Sequence, residues 1–126
     1  MSILLIEPDA LLAATFAAVL KKAGYKVRVA NNAQAALDAA DDGAPDVILL
    51  ELQLVSHSGI EFLYEFRSYA DWQKVPIVIL SNVPPDEFRH SAAVLQNQLG
   101  VTDYYYKPQV SLQKLLRIVE TAAVRL

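Results

Sequence analysis

Pro45-Asp46-Val47-Ile48-Leu49-Leu50-Glu51-Leu52 sets four consecutive aliphatic residues between a turn signal and a single acid. A run that is apolar at both alternating positions reads as a strand buried on both faces, as in parallel sheets covered by helices. Glu51 puts a charge where that strand stops. In open α/β sheets the carboxyl ends of strands are where ligands and chemistry collect.

Working outward, Ile3-Leu4-Leu5-Ile6 is a second apolar run, and it ends in Glu7-Pro8-Asp9. Leu12, Phe16, Val19 or Leu20, and Ala23 then recur at helical spacing, with Gly24 as a stop. Lys26-Val27-Arg28-Val29 alternates with period two, which predicts a half-exposed edge strand. Residues 31–34 resemble a capping box opening an Ala-rich helix that ends near Asp42-Gly43. Beyond the central strand, Ser58-Gly59-Ile60-Glu61 carries the S-x-x-E capping pattern for a helix reaching about Asp71. A strand over 75–80 ends in Ser81-Asn82. Pro84-Pro85-Asp86 suits a first helical turn, after which Phe88, Ala92, Leu95 and Leu99 share a face and Gly100 ends the helix. Asp103-Tyr104-Tyr105-Tyr106 is a short fifth strand running into Lys107-Pro108. Ser111 caps a last helix with Leu112, Leu115, Leu116, Val119 and Ala123 directed at the core.

Strands and helices alternate five times with short connections, without a repeat or a linker. That predicts a single domain over 1–126, an α/β parallel sheet covered on both faces through right-handed crossovers. The flavodoxin-like order 2-1-3-4-5 sets strands one and three side by side, so Glu7, Asp9 and Glu51 converge on one crevice, with Ser81 and Lys107 on the same rim.

Composition narrows the function. The chain has 126 residues, 54% hydrophobic and 20% charged, enough for one core and too apolar for disorder. No run approaches the roughly 20 apolar residues of a membrane span. Met1-Ser2-Ile3 leads into a strand without a basic signal-peptide region, and cysteine is absent, which together suggest a cytoplasmic protein. A net charge of -3 with dispersed Lys and Arg argues against nucleic-acid binding.

These pieces, in this order, resemble the receiver domain of bacterial two-component response regulators across the whole chain. Residues 3–9 resemble its first strand and acidic cluster, and 45–59 the strand and loop around the phospho-accepting aspartate. Residues 75–81 resemble the strand ending in the switch Ser/Thr, and 104–108 the switch aromatic and Lys-Pro step. The resemblance implies that Glu51 occupies the acceptor position, that Ser81 and Tyr104 are the switch pair, and that Lys107 neutralises a transferred phosphoryl group. It also implies a partner face on the fourth helix, fifth strand and last helix, roughly 84–126, for a histidine kinase, an effector or a second copy. No output domain follows within these residues, so an effector is expected in another protein or in a longer chain.

Four departures cluster at the site. Glu51 is longer than the short carboxylate the chemistry needs, and in-line transfer tolerates little displacement. Pro8 replaces an acid and has no side-chain oxygen for a hard cation. Asn82 replaces a small residue, and Val55-Ser56-His57 replaces the usual loop. The expectation is therefore a degenerate, pseudo-receiver site, not an enzyme. It needs no cofactor, Mg2+ entering only if the acidic residues remain competent. Glu51 either mimics the phosphorylated state through Lys107 and Ser81 or simply fills a retired site; residual phosphorylation, for example on Asp9, is the alternative, as is a purely structural adaptor. His57 and His90 lack a second ligand at metal-binding spacing. No Walker loop, G-x-S-x-G or G-x-G-x-x-G occurs, and Glu7-Pro8-Asp9 repels a flavin phosphate.

Overall fold

The computed structural model describes residues 1–55 and 58–124, the side chain of Phe88 excepted. Five parallel strands form one sheet in the order β2-β1-β3-β4-β5: β1 Ser2–Ile6, β2 Lys26–Ala30, β3 Val47–Leu50, β4 Ile77–Ser81 and β5 Val101–Tyr106. Helices α1 (Ala10–Lys22) and α4 (Leu112–Val124) cover one face; α2 (Ala33–Asp42) and α3 (Gly59–Ser68) lie on the other. No described helix is long and apolar enough to cross a membrane.

The double-sided apolar pattern of β3 has its cause in those layers. Ile48 and Leu50 enter the core with Phe62, Leu63 and Phe66, while Val47 and Leu49 enter the core with Phe16, Leu115 and Val119. All four β3 residues are fully buried. Each such side chain contributes about 1.5–3 kcal/mol relative to exposure, so a polar residue on either face would cost stability. Pairing Ile6 with Leu50 sets Glu7 beside Glu51 one step further along. Ser81 pairs with Tyr106, which brings Lys107 to the same rim.

Several local expectations shift. The cap of α2 is Asn32, which accepts from the Ala35 N–H, whereas Asn31 turns away to donate to the Glu7 carbonyl oxygen. Helix α3 stops at Ser68 instead of near Asp71, and a 3-10 turn, Ala70–Trp72, follows it. In α4 the buried stripe is Leu115, Ile118, Val119 and Ala122, while Leu112 is 43% exposed.

The largest change is in the fourth helical segment. It is a 3-10 helix over Pro85–Ser91 followed by a π-helix over Val94–Gln98. The Glu87 N–H reaches the Pro84 carbonyl three residues back, and the Leu99 N–H reaches Val94 five back. Two prolines remove the first N–H donors, and a segment resting on an edge strand has little packing to impose regular turns. Leu95 and Leu99 stay buried, but Ala92, expected on their face, is exposed. Gly100 ends the segment at φ 62, a left-handed conformation that favours glycine.

Gly59 is required for a different reason. A Cβ there would lie 2.6 Å from the Leu52 Cα, and the Gly59 N–H donates to the Leu52 carbonyl at 2.7 Å. We expect Gly59→Ala to destabilise the fold by about 1–3 kcal/mol, as overpacking against backbone does, measured by thermal or urea denaturation.

Candidate functional site

Four strands deliver their last or next residue to one rim: Glu7 after β1, Glu51 after β3, Ser81 ending β4 and Lys107 after β5. These four are the buried polar or charged residues among those described; Glu7 and Glu51 are each 3% exposed and Lys107 7%. An apolar sheet thus concentrates its buried polarity in one place, where every partner must be supplied by the protein.

The supply is complete. The Lys107 Nζ donates to Glu7 Oε1 and, at 2.6 Å, to Glu51 Oε1. Glu51 Oε1 also accepts from the Asn82 N–H at 3.0 Å, and Oε2 accepts from the Gln53 N–H at 3.1 Å and from the Ser81 hydroxyl. Glu7 Oε2 accepts from the Asp9 N–H at 3.0 Å. No described buried side-chain N or O lacks a partner. Burial pushes the Glu51 carboxyl up, but the Lys107 ammonium, the Ser81 hydroxyl and the two N–H groups outweigh it and leave it below the usual carboxylate range.

Ser81 passes the contact onward. Its Oγ accepts from the Val83 N–H at 3.1 Å, and the Tyr104 hydroxyl donates to the Val83 carbonyl at 2.6 Å. Burial pushes the Tyr104 phenol up to about 12; the Ser81 hydroxyl works against this and the Glu51 and Glu87 charges work with it. Tyr104 is half-buried and packs against the α2–α3 side of the core, while Tyr105 packs against the other.

Asp9 does not join the crevice. Its carboxylate accepts from the Leu12 N–H at 3.1 Å and caps α1, because a residue in extended conformation just before a helix satisfies a free helical N–H. Asn82 contributes its backbone, and its exposed side chain is not what holds Glu51. Ser56 and His57 lie outside the described residues; His90 is exposed in the 3-10 segment.

The donor set does not fit a magnesium ion. That ion requires near-octahedral oxygen at about 2.0–2.1 Å. An ammonium stands between the two available carboxylates, Asp9 is committed to a helix end and Pro8 offers no side-chain oxygen. Among the described residues no group of three His, Cys, Asp or Glu could hold a metal.

Sequence reasoning missed the backbone donors of Gln53 and Asn82, since every residue but proline carries an N–H. It also missed Arg67. This side chain donates to the carbonyls of Leu99, Trp72, Val75 and Gly100, tying the end of α3 to the start of β4 and the end of the irregular segment. A basic residue in the last turn of α3 was the available signal.

A family model described as the response regulator receiver domain matches residues 3–120, and the chain belongs to that family. The sensory transduction protein RegX3 of Mycobacterium tuberculosis is 28% identical over 117 residues, covering 93% of this chain and 48% of that protein. The alginate biosynthesis transcriptional regulatory protein AlgB of Pseudomonas putida is 33% identical over 109 residues, 84% of this chain and 22% of that protein. The chain therefore spans about half or less of the length of these curated relatives. Among solved structures, the chemotaxis response regulator CheY4 of Vibrio cholerae has a TM-score of 0.83 over 96% of this chain and 97% of its own, at 22% identity. The receiver domain of NtrX from Brucella abortus has a TM-score of 0.80 at 26% identity, covering 95% and 96%.

Two outcomes follow for stability. Lys107→Met removes the cation shared by two buried carboxylates and should cost about 3–5 kcal/mol at neutral pH, read from urea denaturation. Glu51 ionises more readily in the native state than in the unfolded chain, so its contribution is whole above the unfolded value of about 4.3 and is lost as pH falls through the lower native value. The difference in stability between the native chain and Glu51→Gln should shrink across that acidic window.

Proposed function

We propose that this receiver domain signals by binding another protein and does not run an aspartyl-phosphate cycle. One observation carries the reading: the groups suited to receive a phosphoryl group already hold the Glu51 carboxylate. The Lys107 ammonium, the Ser81 hydroxyl and the Asn82 N–H all end on its two oxygens. A nucleophile pinned by four donors and lacking a competent metal cradle is poorly placed for in-line transfer.

In this reading Glu51 acts as a built-in stand-in for the modified acceptor. A phosphorylated side chain carries about −1.5 to −2 charge and three acceptor oxygens, so one carboxylate reproduces it in part. Ser81 is drawn onto Glu51 and Tyr104 is tied to the Val83 carbonyl, which supports one held arrangement of the segment after β4. The partner, a kinase, an effector or a second copy, would use the irregular segment, β5 and α4. A groove of about 140 Å3 there is lined by Arg89, Leu95, Gln96 and Tyr104. The proposal includes a cytoplasmic setting and no metal requirement.

Intact mass after incubation with acetyl phosphate and Mg2+ tests it. The native chain should take up no phosphoryl group, and Glu51→Asp isolates the effect of side-chain length. A stoichiometric adduct on the native chain would establish an active receiver with an unusual acceptor. Glu51→Ala should also move amide NMR shifts through Ser81 and Val83 into Tyr104 and residues 85–98. Shifts confined to the strand ends would instead mark a retired ion pair on an adaptor whose pocket is irrelevant.

A further inference from the structure

At the opposite end of the sheet from Glu51, where the parallel strands begin, α2 and the end of α3 enclose a second concavity. It consists of two adjoining hollows of about 270 and about 160 Å3 that share Asp41, Tyr69 and Trp72. Asp71 lines the first; Asp38 and Glu65 line the second. Tyr69 is 49% exposed, yet its ring is held 4.8 Å from the Trp72 ring, which in turn stacks on Phe66. The groove is therefore a fixed aromatic shelf bordered by four carboxylates.

Those carboxylates have no cation of their own among the described residues. The ion pairs of Arg89 with Asp86 and of Lys107 with Glu7 and Glu51 involve none of them. Asp38 accepts only an uncharged donor, the Gln34 amide. Two guanidiniums reach this region, but both end on carbonyls: Arg28 on Ala39 and Gly43, and Arg67 on Trp72 and Val75. The last turn of α2 contains no base although it ends in acids, and the one guanidinium at that helix end, Arg28, is spent on its carbonyls.

Acids alone would attract any mobile cation. The exposed, immobilised ring adds a surface that a flat guanidinium, or an ammonium on its alkyl stem, can cover while its charge faces the carboxylates. A metal ion is less well matched, because no three described acids or histidines converge within ligating reach. We propose that the α2–α3 groove docks a basic segment of a partner protein, with an arginine or lysine laid on Tyr69 among Asp38, Asp41, Glu65 and Asp71. This surface is separate from Glu51 and does not depend on how that site works.

The test is an amide-resolved NMR titration with a synthetic peptide of alternating arginine and serine, against the same peptide with citrulline in place of arginine. The expected shifts concentrate on residues 34–44 and 65–72 and on the indole of Trp72, with the arginine peptide only. Asp41→Asn with Asp71→Asn should weaken binding about fivefold, the effect of two surface charges, and Tyr69→Ala should weaken it as well. Glu120→Gln with Asp86→Asn, which removes equal charge elsewhere, should leave it unchanged. The proposal is overturned if no shifts occur, if they spread over the whole surface, or if the control pair weakens binding equally. It is overturned too if magnesium chloride, or raised protein concentration without peptide, reproduces the same shifts.

Discussion

A single ammonium, on Lys107, holds two carboxylates that belong to different strands, and the rim of the sheet depends on it. Removing a carboxylate or an ammonium from water costs several kcal/mol per ion, and their attraction offsets this only when the remaining lone pairs are also satisfied. Here they are: Glu51 gains a hydroxyl and two backbone N–H groups, and Glu7 gains the Asp9 N–H. The arrangement still carries two negative charges against one positive. The Lys107 ammonium, the Ser81 hydroxyl and the Gln53 and Asn82 N–H groups together keep the Glu51 carboxyl below the usual carboxylate range despite burial.

The same donors connect the site to the least regular part of the fold. Asn82 and Ser81 hold Glu51, Ser81 accepts from Val83, and Val83 accepts from Tyr104. Immediately beyond lies the 3-10 and π segment, whose turns are looser and tighter than an α-helix. Arg67 pins the far end of that segment through the carbonyls of Leu99 and Gly100. A stretch with weak internal hydrogen bonding is thus tied at both ends, at one by the buried charges and at the other by a guanidinium.

Family membership and site chemistry rest on different parts of this chain. The sheet order, the strand ends and the match over residues 3–120 are those of a receiver domain. The side chains at the rim form a closed set in which each acceptor already has its donor. A fold positions strand ends through backbone pairing and apolar packing, and neither notices whether the residue at a strand end is Asp or Glu. Function can therefore depart from the family while the scaffold remains.

What the sequence determined by itself was whatever rests on local pattern. The apolar runs of β1, β3 and β4, the stops at Gly24 and Gly100 and the Ser58 cap follow from periodicity and turn chemistry, and the sheet order was expected from the flavodoxin-like arrangement of alternating strands and helices. So does the gathering of Glu7, Glu51, Ser81 and Lys107, because parallel strands of matched length must end on one rim. The tertiary structure alone decided which atoms meet there. Asp9, two residues from Glu7 in sequence, went to a helix end, where its carboxylate accepts from the Leu12 N–H. The cap of α2 moved from Asn31 to Asn32, the Asn31 amide donating to the Glu7 carbonyl instead. The segment after Pro85 left α-geometry because two prolines and an edge strand gave it neither donors nor packing. Each of these outcomes is a competition between partners far apart in the chain, and periodicity carries no record of who is nearest in space.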